Sequence, residues 1–407
     1  MNPIKPKDSS QDDMQPNPEA TVSRRFFLKA GVAFAGLSLG GCTISQVRRS
    51  INTGQQLYKG KITEAVAAQI PGTGIHEIDR LVKKQITTLL NELAKTWGEE
   101  KIATPKEYVK YTDHYQSRAL INFTTGKIQV ETVVVKNSKS ALKKAIVSTL
   151  LTPSDPTEID LFSAKEIKPG QTPFLFDLVQ DHQKQPIRYD WRANQYADYL
   201  IKNRYQTKLV ASGKNKGAKR HFVQFDMVKD YQGQQQHRYH ADVLRQSKRF
   251  NIERALIYGI IETESAFNPF AVSSAPAYGL MQIVPSTAGR DVYRLLNNRD
   301  GAPTKELLFK PSQNIQYGTA YLSILFTKYL SGIRNKQSRE YCVIAAYNTG
   351  SGNVFKAFHG SRSTAIDKIN KLSSQKVFQH LVSNLSYSEA RRYLVKVTRN
   401  KRKYLHV

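Results

Sequence analysis

Apolar residues recur at spacings of three and four between residues 75 and 97, at Ile75, Ile78, Val82, Ile86, Leu89, Leu93 and Trp97, which predicts one amphipathic helix. The period then changes. In "ALINFTTGKIQVETVVV", residues 119 to 135, apolar and polar positions alternate on both sides of a Thr-Gly turn, the pattern of a β-hairpin. Ser140 opens a second helix with Ala141, Leu142, Ala145, Ile146 and Leu150 on one face, and Pro153 closes it. After the basic loop "SGKNKGAKR", the stretch "HFVQFDMV" (His221 to Val228) reads as a strand. This order makes an α+β unit. The polar run "YQGQQQHRYH" (Tyr231 to His240) reads as a linker. An N-terminal mixed α/β domain is therefore expected over residues 43–238, and a mainly α domain over residues 239–407.

In the second part, Tyr239 to Arg249 predicts a helix, Phe250 and Asn251 a turn, and "IERALIYGIIETES" another helix with Asn251 as its N-cap. Two glutamates share the end of that helix. At 100° per residue, Glu264 lies about 20° from Ile257 and about 40° from Ile260, whereas Glu262 points roughly 160° away from Glu264. Glu264 thus continues the apolar stripe, and Glu262 is expected to be solvated or structural. Desolvation disfavours a carboxylate and raises its pKa, which makes Glu264 a candidate proton donor near neutral pH.

Composition changes this picture in two ways. The length of 407 residues with 40% hydrophobic content implies two globular units with separate cores. Sixty-one Lys and Arg against 33 Asp and Glu leave a net charge of +28, which calls for an anionic partner: nucleic acid, a membrane face or an acidic polymer. Two cysteines, Cys42 and Cys342, give no disulfide framework. Cys342, in "YCVIAAY", reads as a small buried apolar side chain. His76, His114, His182 and His221 lack paired metal-ligand spacing. Neither a metal nor a cofactor is expected.

Residues 1–41 read as a signal peptide. The apolar run after "SRRFFLK" is too short to cross about 30 Å of hydrocarbon. "SRRFFLK" resembles a twin-arginine export signal, and "LGGC" (Leu39 to Cys42) resembles a lipobox. That resemblance implies cleavage before Cys42, lipidation of Cys42 and a membrane tether on the periplasmic side. Thr43 after the cysteine implies sorting to the outer membrane. An export signal and the lack of any recognised nucleic-acid module argue against nucleic acid as the partner.

Four ordered motifs follow Glu264: "ESAFNP" (Glu264 to Pro269), "GLMQ" (Gly279 to Gln282), "NIQYGTAYL" (Asn314 to Leu322) and "AYNTG" (Ala346 to Gly350). They resemble the lysozyme-like domain of the soluble lytic transglycosylases, over roughly residues 239 to 400. The Ala-Pro-Ala-Tyr loop before Gly279, with the lipobox and the α+β N-terminal half, looks most like the membrane-bound members of that family. The resemblance implies cleavage of peptidoglycan between N-acetylmuramic acid and N-acetylglucosamine with closure of a 1,6-anhydro ring. Glu264 would then be the single acid and base. This suits the sequence, because no further acidic residue occurs before Asp291, so a second carboxylate must come from a distant segment or be absent.

By the same resemblance Ser265 and Ser273 would offer hydroxyls to the sugar, and Gln282 an amide. Met281 would pack beside Glu264, Tyr347 and Asn348 would close the opposite wall, and Tyr393 would lie near the cleft. "SYSEARRYLVKV" offers a capping box, Ser386 with Glu389, ahead of Tyr393. The basic tail "RNKRKYLHV" reads either as a cleft-lining cation source or as a solvated terminus. The implied partners are peptidoglycan strands, the membrane through the N-terminal lipid, and other cell-wall enzymes. Two alternatives stay open: a goose-type hydrolytic muramidase on the same fold, and an inactive peptidoglycan-binding lipoprotein.

Overall fold

The computed structural model of the chain describes residues 76–99, 101–273 and 277–407. The expected signal segment and Cys42 lie outside these residues. The predicted first helix is α1 (His76–Trp97). It leads into β1 (Glu107–Thr112), β2 (Ser117–Asn122) and β3 (Lys127–Thr132). Then come α2 (Ser138–Leu150), α3 (Asp190–Arg204), β4 (Gln206–Leu209) and β5 (Lys219–Asp226). The sheet is antiparallel with order β1-β2-β3-β5-β4. The hairpin pairs Asn122 with Lys127 and Ser117 with Thr132, as the alternation predicts. β1 and β4 are additions.

Alternation decides what each sheet face does. Tyr108, Ile121, Ile128, Val130, Val223 and Phe225 fall on one face and are buried in the main core. The other face carries Val109 and Tyr111, which bury with Leu89, Leu93 and Trp97 of α1. Arg118 is wholly buried on that face, its Nε 2.9 Å from Glu131 Oε1 and its guanidinium 4.0 Å over the Trp97 ring. Glu99 and Arg220 complete the ion cluster, so the buried charges are compensated.

The run read as a linker is helical: α4 (Tyr231–Arg238). It is polar nearly all round, with Gln235 its buried residue, so it carries no apolar stripe to read. Next are α5 (His240–Phe250) and α6 (Arg254–Ser265). Asn251 does not cap α6. It is the left-handed C-cap of α5 (φ 52°), a conformation that Asn tolerates, and Glu253 holds the N-cap position of α6 without its side chain capping the helix.

The rest is helical: α7 (Arg290–Asn297), α8 (Lys305–Phe309), α9 (Pro311–Ile324), α10 (Lys336–Thr349), α11 (Ser351–Phe358), α12 (Arg362–Asn370), α13 (Ser374–Asn384) and α14 (Ser388–Arg402). α6 is enclosed, with Ala255 through Ile261 all buried, and α14 lies along it. Asn400 Nδ2 bonds Thr263 Oγ1 at 3.1 Å across that contact.

The C-terminal tail is exposed along much of its length but is pinned at several side chains. Tyr404 is 7% exposed and donates to Glu262 Oε2 at 2.9 Å, Lys403 pairs with Glu262, and Lys401 lies 2.7 Å from both Glu253 and Glu340. Glu262 therefore takes the structural of its two expected roles. The cores are not separate either. Tyr108 and Phe174 both stack edge-on against Phe270 at 5.1 Å, and one apolar cluster runs from the sheet into the helices.

Candidate active site

Glu264 stands in the last turn of α6, where Ala266 leaves the helix in the left-handed region (φ 50°). Tyr393 of α14, 6% exposed, donates its hydroxyl to Glu264 Oε1 at 2.7 Å. Burial pushes the Glu264 carboxyl up to about 7, against smaller opposing effects of the Tyr393 bond and the Lys106 charge, and the Glu389 charge adds to the rise. Burial and the Glu264 charge together push the phenols of Tyr347 and Tyr393 well above their usual range. At neutral pH the site thus holds a carboxyl close to half-ionised, facing two neutral phenols.

The other motifs converge on three backbone positions beside it. Leu280 O accepts from Ser265 Oγ at 2.8 Å. Met281 N–H donates to Asn314 Oδ1 at 2.7 Å, and Met281 O accepts from Tyr347 Oη at 2.9 Å. Asn314 Nδ2 donates to Tyr278 O and Leu308 O, each at 2.7 Å. Two glycines make the convergence possible. Gly279 has φ +72°, and a Cβ there would meet Asn314 Nδ2 at 2.3 Å. A Cβ on Gly318 would meet Met281 Sδ at 2.3 Å.

Measured against the sequence expectations, the residues divide. Glu264, Tyr347 and Tyr393 come together. Asn348 follows Tyr347 on α10 and is half-buried, and Ser273 is half-buried at the edge of the loop. Ser265 does not offer a hydroxyl to a sugar. It is fully buried and donates to main-chain carbonyls. Met281 is also fully buried and serves packing. The Gln282 Nε2 donates to Gly279 O at 2.9 Å and Ala271 O at 3.2 Å, which leaves its Oε1 as the group able to meet a ligand. The capping box does not form, since Tyr387 occupies the N-cap position of α14 and its side chain does not cap the helix.

Two residues escaped the sequence reading. Glu389, four residues before Tyr393 on α14, is the second carboxylate that bears on Glu264. Its i, i+4 relation to Tyr393 is the signal that could have revealed it. Lys106 comes from the segment before β1 and is likewise within electrostatic reach of Glu264. Asp291, by contrast, is taken by the Tyr329 hydroxyl at 2.9 Å. A separate groove of about 370 Å³ runs along the sheet and is lined by Glu107, Asn122, Gln129 and Gln224 among others, with no motif residue in it. Among the described residues no group of His, Cys, Asp and Glu is arranged to hold a metal.

The family profile for the membrane-bound lytic murein transglycosylase C N-terminal domain matches residues 75–238, and that for the transglycosylase SLT domain matches residues 243–370. Proteins named membrane-bound lytic murein transglycosylase C from Yersinia pestis and Yersinia pseudotuberculosis are each 44% identical over 317 residues, covering 77% of this chain and 87% of theirs. The chain belongs to the membrane-bound lytic murein transglycosylase C family. It is a lytic murein transglycosylase, with a helical SLT domain after an N-terminal part that carries a small antiparallel sheet. A solved lytic transglycosylase from Pseudomonas aeruginosa aligns at 26% identity and a TM-score of 0.32, covering 41% of this chain and 24% of that one. A superposition that loose adds nothing about the fold.

The raised pKa of Glu264 has a consequence for stability. Folded Glu264 takes its proton near pH 7 and the unfolded side chain near 4.5. Between these values the folded state binds the extra proton, so its contribution is fully present below about 4.5 and is lost as pH rises through 7. Glu264→Gln should therefore match wild type in urea unfolding at pH 4. At pH 8 it should exceed wild type by at most about 3 kcal/mol. A gap that does not change with pH would remove the desolvated-acid account.

Proposed function

We propose that this transglycosylase cuts the β-1,4 bond between N-acetylmuramic acid and N-acetylglucosamine with Glu264 as its single acid and base. The observation that carries this reading is the Glu264–Tyr393 contact in a desolvated site where the carboxyl titrates near 7. Protonated Glu264 gives its proton to the glycosidic oxygen as the C1–O bond breaks. The resulting carboxylate then takes the proton of the muramoyl 6-hydroxyl, whose oxygen bonds C1 to close the anhydro ring. Both transfers use one carboxyl, as microscopic reversibility allows. Tyr393 keeps the carboxyl aimed. Gln282 Oε1, Ser273 and Asn348 are proposed to meet substrate polar groups. Residues 239–407 are the proposed catalytic domain and residues 43–238 the N-terminal domain.

One observation speaks for the hydrolytic alternative: Glu389 supplies a second carboxylate in reach of Glu264, the pairing an inverting glycosidase uses. Mass analysis of purified glycan digests separates the two. The transglycosylase reading predicts muramoyl ends one water lighter than hydrolytic ends, and fully hydrated ends would refute it. Glu264→Gln should lower the rate roughly 10³-fold. Survival of full activity would remove Glu264 as the acid.

We also propose that the mature chain begins at lipidated Cys42 and is held at the periplasmic face of the outer membrane. Supporting this are "LGGC" and the "membrane-bound" in the names of the relatives. Mass spectrometry of the mature N-terminus should find a diacylglyceryl modification on Cys42, and an unmodified Cys42 would exclude the anchor.

A further inference from the structure

Residues 105 to 108 reach the catalytic motif from the sheet side and are fixed to it at both ends. Pro105 O accepts from Asn268 Nδ2 at 3.0 Å, and the Tyr108 ring packs edge-on against Phe270 at 5.1 Å. The main chain between them is pinned as well, because Lys106 O accepts from Phe123 N at 3.0 Å. Lys106 is thus held between two anchors that both lie within six residues of Glu264. Its side chain is half-buried.

The charges around it are unbalanced. Lys396 and Arg399 of α14 repel the Lys106 ammonium, while Glu264 and Glu262 attract it. Glu262 already accepts from Lys403 and Tyr404. Its charge is largely spent. Glu264 faces Tyr393 and Glu389 from α14, Tyr347 from α10, and Lys106 from the segment before β1. Lys106 is the cation in that set. Before the reaction Glu264 carries its proton and offers Lys106 little. After protonating the glycosidic oxygen it is a carboxylate, and the attraction is at full strength.

We propose that Lys106 is a positioning residue for the reaction: an ammonium from the N-terminal half that stabilises Glu264 in the carboxylate form it holds between its two proton transfers. Such an interaction is weak in the ground state and strong once negative charge develops, so it lowers the barrier instead of tightening binding. The inference rests on Glu264 being the acid and base. It also gives the N-terminal half a part in the chemistry, since Lys106 is the cation among the groups that act on the Glu264 carboxyl.

The test is the initial rate of anhydro-product release from purified peptidoglycan, measured against pH on the full chain. Activity requires protonated Glu264, so its alkaline limb reports that carboxyl. Lys106→Met should lower the maximal rate roughly tenfold and move the alkaline limb up by about one pH unit. Lys106→Arg should return the limb to its wild-type position. Lys106→Gln, which keeps a polar chain of similar reach, gives the same readout should the methionine variant fold poorly. A rate loss with an unmoved limb in both neutral variants would mean that Lys106 only packs, and would overturn the proposal. Glu264→Gln in the same assay separates the two failures. Full activity there removes the acid and the proposal together, whereas an inactive Glu264→Gln beside an unmoved limb removes Lys106 alone.

Discussion

Keeping one half-buried carboxyl largely out of water is the constraint on which the rest of this molecule turns. A buried carboxylate without partners is costly, and the chain meets that cost with a single hydroxyl, Tyr393, and a half-buried cation. More hydrogen bonds or a closer cation would make Glu264 an ordinary ionised residue with no proton to give at neutral pH. Fewer would leave it neutral through the whole cycle. The helix that carries Glu264 is accordingly enclosed along its length, with α14 laid against it and fastened through Asn400, Tyr404 and Lys403.

The sequence motifs are best understood as the means of building the wall beside that carboxyl. Leu280 and Met281 turn their main-chain groups toward Ser265, Asn314 and Tyr347, which belong to three other motifs. Each of those side chains spends its polar atoms on the backbone of the loop. Gly279 and Gly318 are glycines because neighbouring atoms already occupy the space a Cβ would need. Residues that look like substrate ligands in one dimension are therefore partly mortar, and the polar atoms left over, such as Gln282 Oε1, are few.

How much of this could be read from the chain follows from where the information sits. The period of α6 put Glu264 on the apolar side and Glu262 away from it, because helix geometry is local. The β2-β3 hairpin was legible for the same reason. β1 was not: "EYVKYT" is buried on both faces after its first residue, Lys110 included, so alternation is lost. β4 is exposed throughout, and α4 has no apolar stripe. The family resemblance places Tyr393 near the cleft and Glu389 stands one helical turn before it, but nothing local announces Lys106. Their roles arise from contacts across more than a hundred residues. Ser265 is not legible either, because spacing does not tell whether a hydroxyl at a helix end faces solvent or, as here, a neighbouring loop.

The protonation state of Glu264 in the resting protein decides whether it can be the proton donor. A titration of its side-chain carboxyl by ¹³C NMR, assigned by difference from Glu264→Gln, measures that state directly. A midpoint near 7 is what the buried, tyrosine-bonded site predicts. A midpoint at the ordinary glutamate value, near 4.3, would mean that the carboxyl is solvated and ionised throughout the working range and would contradict its role as the proton donor.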